Sequence, residues 1–116
     1  MTIKRLPGTA RGRCRATVHG GLVYAVATDP NEAEGITAQT RNTLAALEAT
    51  LEEAGSGKTR ILQATVYLRD MANKPEMDEV WCDWIGPEEN WPQRACVGTD
   101  LAGEDLVEIV VTASLL

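Results

Sequence analysis

From Val107 to Ala113 every second residue is apolar: Val107, Ile109, Val111 and Ala113 form one row, while Glu108, Val110, Thr112 and Ser114 form the other. A period of two is that of a strand with one face buried, so the pattern predicts a strand over Leu106 to Ser114. Ile61 to Leu68, rich in β-branched and aromatic residues, predicts another. Near the start, Ile3 to Leu6 reads as a short strand. Cys14 to His19 and Leu22 to Ala27 flank Gly20-Gly21, a two-residue link suited to an antiparallel hairpin.

The period then changes. Ile36, Thr40, Leu44, Leu47, Leu51 and Ala54 are spaced by threes and fours, which places them on one face of a helix that Gly55 can terminate. Met77, Val80, Trp81, Trp84 and Ile85 form a second helical stripe, read as core rather than as a cofactor-binding face. Asn73-Lys74-Pro75-Glu76 before it has the form of a capping box with asparagine as the cap. After the Gly86-Pro87 and Trp91-Pro92 loop, Gln93 to Val97 begins a further strand. The order of strands, helix, strand, helix and strands predicts an α+β fold, a six-stranded mixed sheet with two helices packed on one face. No repeat or linker divides residues 1–116, which read as a single domain.

Charge narrows the choice of partners. Eleven Lys and Arg against seventeen Asp and Glu give a net charge of −6, which argues against a phosphate-backbone partner. Lys4, Arg5, Arg11, Arg13 and Arg15 cluster early, and a solvated strand face accounts for them. Cys14, Cys82 and Cys96 are odd in number, lack C-x-x-C spacing and accompany a single histidine. Neither a disulfide framework nor a metal site is expected. The basic start is followed by no apolar stretch of signal length and no run approaches membrane-spanning length, so a cytoplasmic protein with no membrane partner is expected.

Most apparent motifs dissolve on inspection. Gly55-Ser56-Gly57-Lys58-Thr59 ends like a phosphate-binding loop, but Glu52 stands where the first glycine belongs, and the segment joins a helix to a strand instead of a strand to a helix. His19 lies beside a turn with no nucleophile to activate, and the adjacent Glu88 and Glu89 are weak evidence for a paired-carboxylate hydrolase. Arg94 is more informative. It enters a strand with Cys96 on its own face, and Glu108 is an acid set into the final apolar strand. The pattern allows either an Arg94–Glu108 structural ion pair or a site.

Gln39-Thr40 with Asn42 and Leu44, Ala54-Gly55, Val66-Tyr67-Leu68 with Asp70, and above all Pro92-Gln93-Arg94-Ala95-Cys96-Val97 followed by Val107-Glu108-Ile109 resemble the RidA/YjgF family over nearly the whole chain. The resemblance implies a chorismate-mutase-like homotrimer with ligand clefts between subunits and hydrolysis of reactive 2-enamine or 2-imine acids to 2-oxo acids and ammonia, with no cofactor. It gives Arg94 the role of gripping the substrate carboxylate, Cys96 that of lining the pocket and Glu108 that of placing the attacking water. A guanidinium fits a carboxylate with two charge-assisted hydrogen bonds, and a carboxylate can deprotonate water beside an electrophilic carbon. Where deaminating members carry a serine and glycine after the hairpin strand, this chain has Val26-Ala27. Their early tyrosine falls near Arg13, and their asparagine of the second helix matches Asp78. A non-enzymatic binder of small 2-oxo or amino acids is the alternative. The endoribonuclease activity ascribed to the family fits poorly with the acidic charge.

Overall fold

The computed structural model describes residues 2–116. Six strands form one sheet: β1 (Lys4–Pro7), β2 (Cys14–His19), β3 (Leu22–Ala27), β4 (Ile61–Leu68), β5 (Gln93–Gly98) and β6 (Val107–Ser114). The helices are α1 (Ile36–Glu53), between β3 and β4, and α2 (Lys74–Ile85), between β4 and β5. The spatial order is β1-β2-β3-β6-β4-β5, so the last strand inserts between β3 and β4 and runs antiparallel to both. Only β4 and β5 pair in parallel, joined through α2 as a crossover requires. The first strand is shifted by one residue from its expected bounds.

One face of the sheet is buried under the helices. Val107, Ile109, Val111 and Ala113 are at most 2% exposed and meet Leu44, Leu47, Leu51, Met77 and Ile85 in one core cluster. The opposite face is bare, and Tyr24, Val97 and Val110 stand exposed on it. Gly55, at φ 92, ends α1: its N–H donates to the Glu52 carbonyl at 3.1 Å and that of Ser56 to the Leu51 carbonyl at 2.8 Å. These paired bonds satisfy carbonyls that the last turn leaves open.

The expected capping box is absent. Residues 71–73 form a 3-10 turn that runs straight into α2, so Asn73 already has helical angles (φ −84, ψ −2) and its side chain makes no cap bond. Asp70 takes that role one turn earlier, accepting from the Ala72 N–H at 2.9 Å. Arg15 is also more than a solvated residue: it donates to the Pro7 carbonyl, Thr50 and Glu53, tying the first hairpin to α1.

The loops are held by buried polar side chains. Asp29, 3% exposed, accepts from the N–H groups of Asn31 and Ala33 and from Asn42. Gln39, 2% exposed, donates to the Ala33 and Glu104 carbonyls and accepts from the Leu106 N–H, each at 2.8–2.9 Å. One amide thus fastens the loop before α1 to the loop before β6. Replacing Gln39 with leucine strands three backbone groups, each of which costs about 1–3 kcal/mol when buried without a partner. Gln39→Leu should therefore lower unfolding stability by about 3 kcal/mol or more in a denaturant titration. A loss within about 0.5 kcal/mol, as expected of an ordinary surface change, would contradict this bracing role.

Candidate functional site

Arg94 lies on edge strand β5, paired with Ala64 of β4, and Cys96 is paired with Val66. Ala64 and Val66 belong to the buried row, so Arg94 and Cys96 emerge on the helix side, at the sheet rim beside the first turns of α2. There α2 surrounds the guanidinium. Arg94 Nη2 donates to Asp78 Oδ1 at 2.6 Å, Nη1 lies 3.8 Å from the Met77 sulfur, and the guanidinium carbon sits 5.2 Å from the centre of the Trp81 ring. Lys74, one turn before Asp78, donates to Oδ2 at 2.7 Å. Asp78 therefore bridges two cations. The expected ion pair is formed with Asp78 and not with Glu108.

The electrostatics follow from this cluster. Burial pushes the Asp78 carboxyl up, but the hydrogen bonds and positive charges of Lys74 and Arg94 outweigh it and hold the group below its ordinary value of 3.8. For Cys96, burial dominates and raises the thiol above 9.0 despite the pull of Arg94 and Lys74. A protonated thiol at neutral pH suits a lining residue better than a nucleophile.

Glu108 stands elsewhere. It pairs with Tyr67 of β4 and alternates with Val107 and Ile109, both fully buried on the helix side, so its side chain belongs to the bare face. It enters none of the ion pairs among the described residues. On that face a shallow recess of about 220 Å³ is lined by Thr17, Tyr24, Val26 and Val110, where Val26 pairs directly with Val110 and Val110 lies two residues along β6 from Glu108. Arg13 is exposed near its edge. One chain thus brings Arg94 and Cys96 together with Asp78, but leaves Glu108 on the other side of the sheet.

The remaining candidates have structural surroundings. His19 is exposed at the end of β2 beside the turn, Glu88 and Glu89 project from a 3-10 turn, and Lys58 covers the Trp84 ring at 5.5 Å. A recess of about 260 Å³ between α1 and α2, lined by Arg41, Glu48, Val80 and Trp84, holds none of the candidate residues. The Trp84 indole N–H there is already donated to Glu48. Among the described residues no cluster of three or more His, Cys, Asp or Glu has metal-holding geometry, and no helix is long and apolar enough to cross a membrane.

The family model described as Endoribonuclease L-PSP matches residues 9–115. The chain belongs to this family, also called the YjgF or RutC family. A RutC family protein from Haemophilus ducreyi is 36% identical over 100 residues, covering 84% of this chain and 85% of that protein. A crystal structure of a YjgF-family protein from Neisseria meningitidis superposes with a TM-score of 0.93 at 36% identity, covering 100% of this chain and 97% of that one. A 3-aminoacrylate deaminase, RutC, from Acinetobacter baylyi is 35% identical over 77 residues, 66% of this chain and 60% of its own length. The fold expected from the alternating pattern is therefore the fold of the YjgF family, six strands and two helices.

Lys74, Trp81 and the pairing role of Asp78 escaped the sequence reading, because their approach to Arg94 depends on how α2 lies over β5. Asp78, with its lowered carboxyl, contributes stability that is complete above pH about 4 and is lost as the pH falls through its depressed folded-state value. Thermal unfolding of the parent should thus be more acid-sensitive below pH 4 than that of Asp78→Asn. Parallel acid limbs for the two proteins would show that Asp78 carries no such linkage.

Proposed function

We propose that this YjgF-family chain hydrolyses reactive 2-imine and 2-enamine acids to 2-oxo acids and ammonia, in a cleft that two copies build together. Arg94 and Cys96 come from the rim of one copy and Glu108 from the bare sheet face of the next. The observation that carries this reading is the placement of Arg94 and Glu108 on opposite faces of one sheet. Each is half of a site. Exposed Tyr24, Val97 and Val110 leave apolar area on the bare face that association would bury. A homotrimer, closing three identical clefts by a single kind of contact, satisfies both needs. The naming of one relative as a 3-aminoacrylate deaminase supports the reaction class.

In the reaction, the N–H groups of Arg94 not given to Asp78 or Met77 take the substrate carboxylate and hold the adjacent imine carbon in place. Glu108 accepts a proton from water as its oxygen bonds to that carbon. Glu108 passes that proton to nitrogen to complete the carbinolamine, which then collapses: the hydroxyl gives up its proton through Glu108 to nitrogen and becomes the carbonyl as the carbon–nitrogen bond breaks and ammonia leaves. No electron is gained or lost, so the chemistry asks for no redox group. The 2-oxo acid keeps its carboxylate on Arg94 until it departs.

A binding protein without turnover is the second reading, and the apolar pair Val26 and Val110 close to Glu108 favours it, because neither orders a water molecule. A charge of −6 is unfavourable for ribonuclease action.

Two variants separate the possibilities. Arg94→Ala should weaken calorimetric 2-oxo acid binding by about 2–5 kcal/mol, with Arg94→Lys recovering only part because a point charge lacks the planar fork. Glu108→Gln should keep that binding while slowing ammonia release from enzymatically generated imines by about a hundredfold or more. Unchanged turnover in Arg94→Ala would dismiss the deaminase site, and tight Arg94-dependent binding without parental turnover would establish the binding protein instead.

A further inference from the structure

Three charges meet at the rim: Arg94 and Lys74, both cationic, and Asp78 between them at 2.6 Å and 2.7 Å. Without Asp78 the rim would hold two positive charges and attract any small anion. With it, the net charge falls to one. Trp81, itself 5% exposed, lies against one face of the guanidinium and Asp78 takes one N–H at its edge, so a ligand on the remaining N–H groups sits close to the Asp78 charge. A carboxylate arriving there is drawn to Arg94 and repelled by Asp78.

We propose that Asp78 is a specificity-determining residue that makes the Arg94 rim select zwitterionic 2-imino or 2-amino acids against the corresponding 2-oxo acids. The inference rests on the reading of Arg94 as the carboxylate anchor. A 2-oxo acid brings only a negative charge, which Asp78 disfavours through space. A protonated imine or amine carries a positive charge on the nitrogen bonded to the carbon next to its carboxylate, within reach of the same Asp78 field. The zwitterion therefore gains where the oxo acid loses. Under the proposed reaction this favours substrate over product, since hydrolysis removes the cationic nitrogen and leaves the bare anion beside Asp78.

Lys74 opposes the effect. Its ammonium group shields Oδ2 of Asp78, so its removal sharpens the selectivity that removal of Asp78 abolishes. The two neighbours thus predict shifts of opposite sign, which a general loss of packing would not produce.

The test is calorimetric binding of pyruvate and L-alanine, stable stand-ins for the oxo acid and the zwitterion, to the parent, Asp78→Asn, Lys74→Gln and Arg94→Ala. In Asp78→Asn the ratio of pyruvate to alanine affinity should rise about tenfold, mainly through tighter pyruvate. In Lys74→Gln it should fall. If Asp78 only positions Arg94, both ligands weaken in parallel and the ratio stays fixed, which overturns the proposal. Arg94-dependent binding with a fixed ratio refutes the selectivity alone. Binding that survives Arg94→Ala, or no binding by any of the four proteins, removes the carboxylate anchor and the selectivity together.

Discussion

Side chains along a strand alternate between the two faces of a sheet, and in this protein that alternation decides what a single chain can do. Ala64 and Val111 pair across β4 and β6 on the buried side, and Arg94 shares that side through its pairing with Ala64. Glu108, in register with Tyr67, is out of phase with this row. A one-residue slip that moved Glu108 to the other face would also expel Val107, Ile109 and Val111 from the core. The separation of Arg94 from Glu108 is therefore fixed by the same burial that stabilises the fold, and small local movements cannot undo it.

The rim around Arg94 is likewise a consequence of packing. The stripe Met77, Val80, Trp81 and Ile85 anchors α2 in the core, and residues next to that stripe are then carried over β5. Asp78 follows Met77 directly, and Lys74 precedes it by one helical turn, the separation at which a lysine and an acid meet. Trp81 contributes its indole to the core and its π-face to the guanidinium, an attraction that adds to the ion pair without competing for N–H groups. Arg94 is held ready in one orientation before any ligand arrives, which reduces the ordering cost of binding.

Much of this was legible in the sequence. The period-two rows of β6, the β-branched and aromatic content of β4, the glycine pair of the first hairpin and the threefold and fourfold spacing of α1 correspond to the observed elements within a residue or so at their ends. Those features are local, and local patterns report local geometry. The row assignments within β5 and within β6 were also correct. Their mutual phase was not accessible, because β4 lies between the two strands and its register with each of them is known only once the pairing is seen. The Asp78–Arg94 contact spans sixteen residues and depends on the angle of α2. Gln39 is similar: its amide satisfies a carbonyl 65 residues away, for which no periodicity gives a signal. Asn73 misled for a different reason, since a capping pattern says nothing of a 3-10 turn that begins the helical path three residues earlier.

The central claim is that Arg94 of one copy works with Glu108 of another, and subunit mixing tests it most directly. Arg94→Ala and Glu108→Gln chains, each inactive alone, would be unfolded together in equal amounts, refolded, and separated by differing tags to isolate assemblies containing both. In every mixed trimer so isolated, one cleft of the three combines an intact Arg94 with an intact Glu108, so ammonia release should recover to about a third of the parental rate. Mixed assemblies that form but remain at the level of the single variants would contradict the shared cleft.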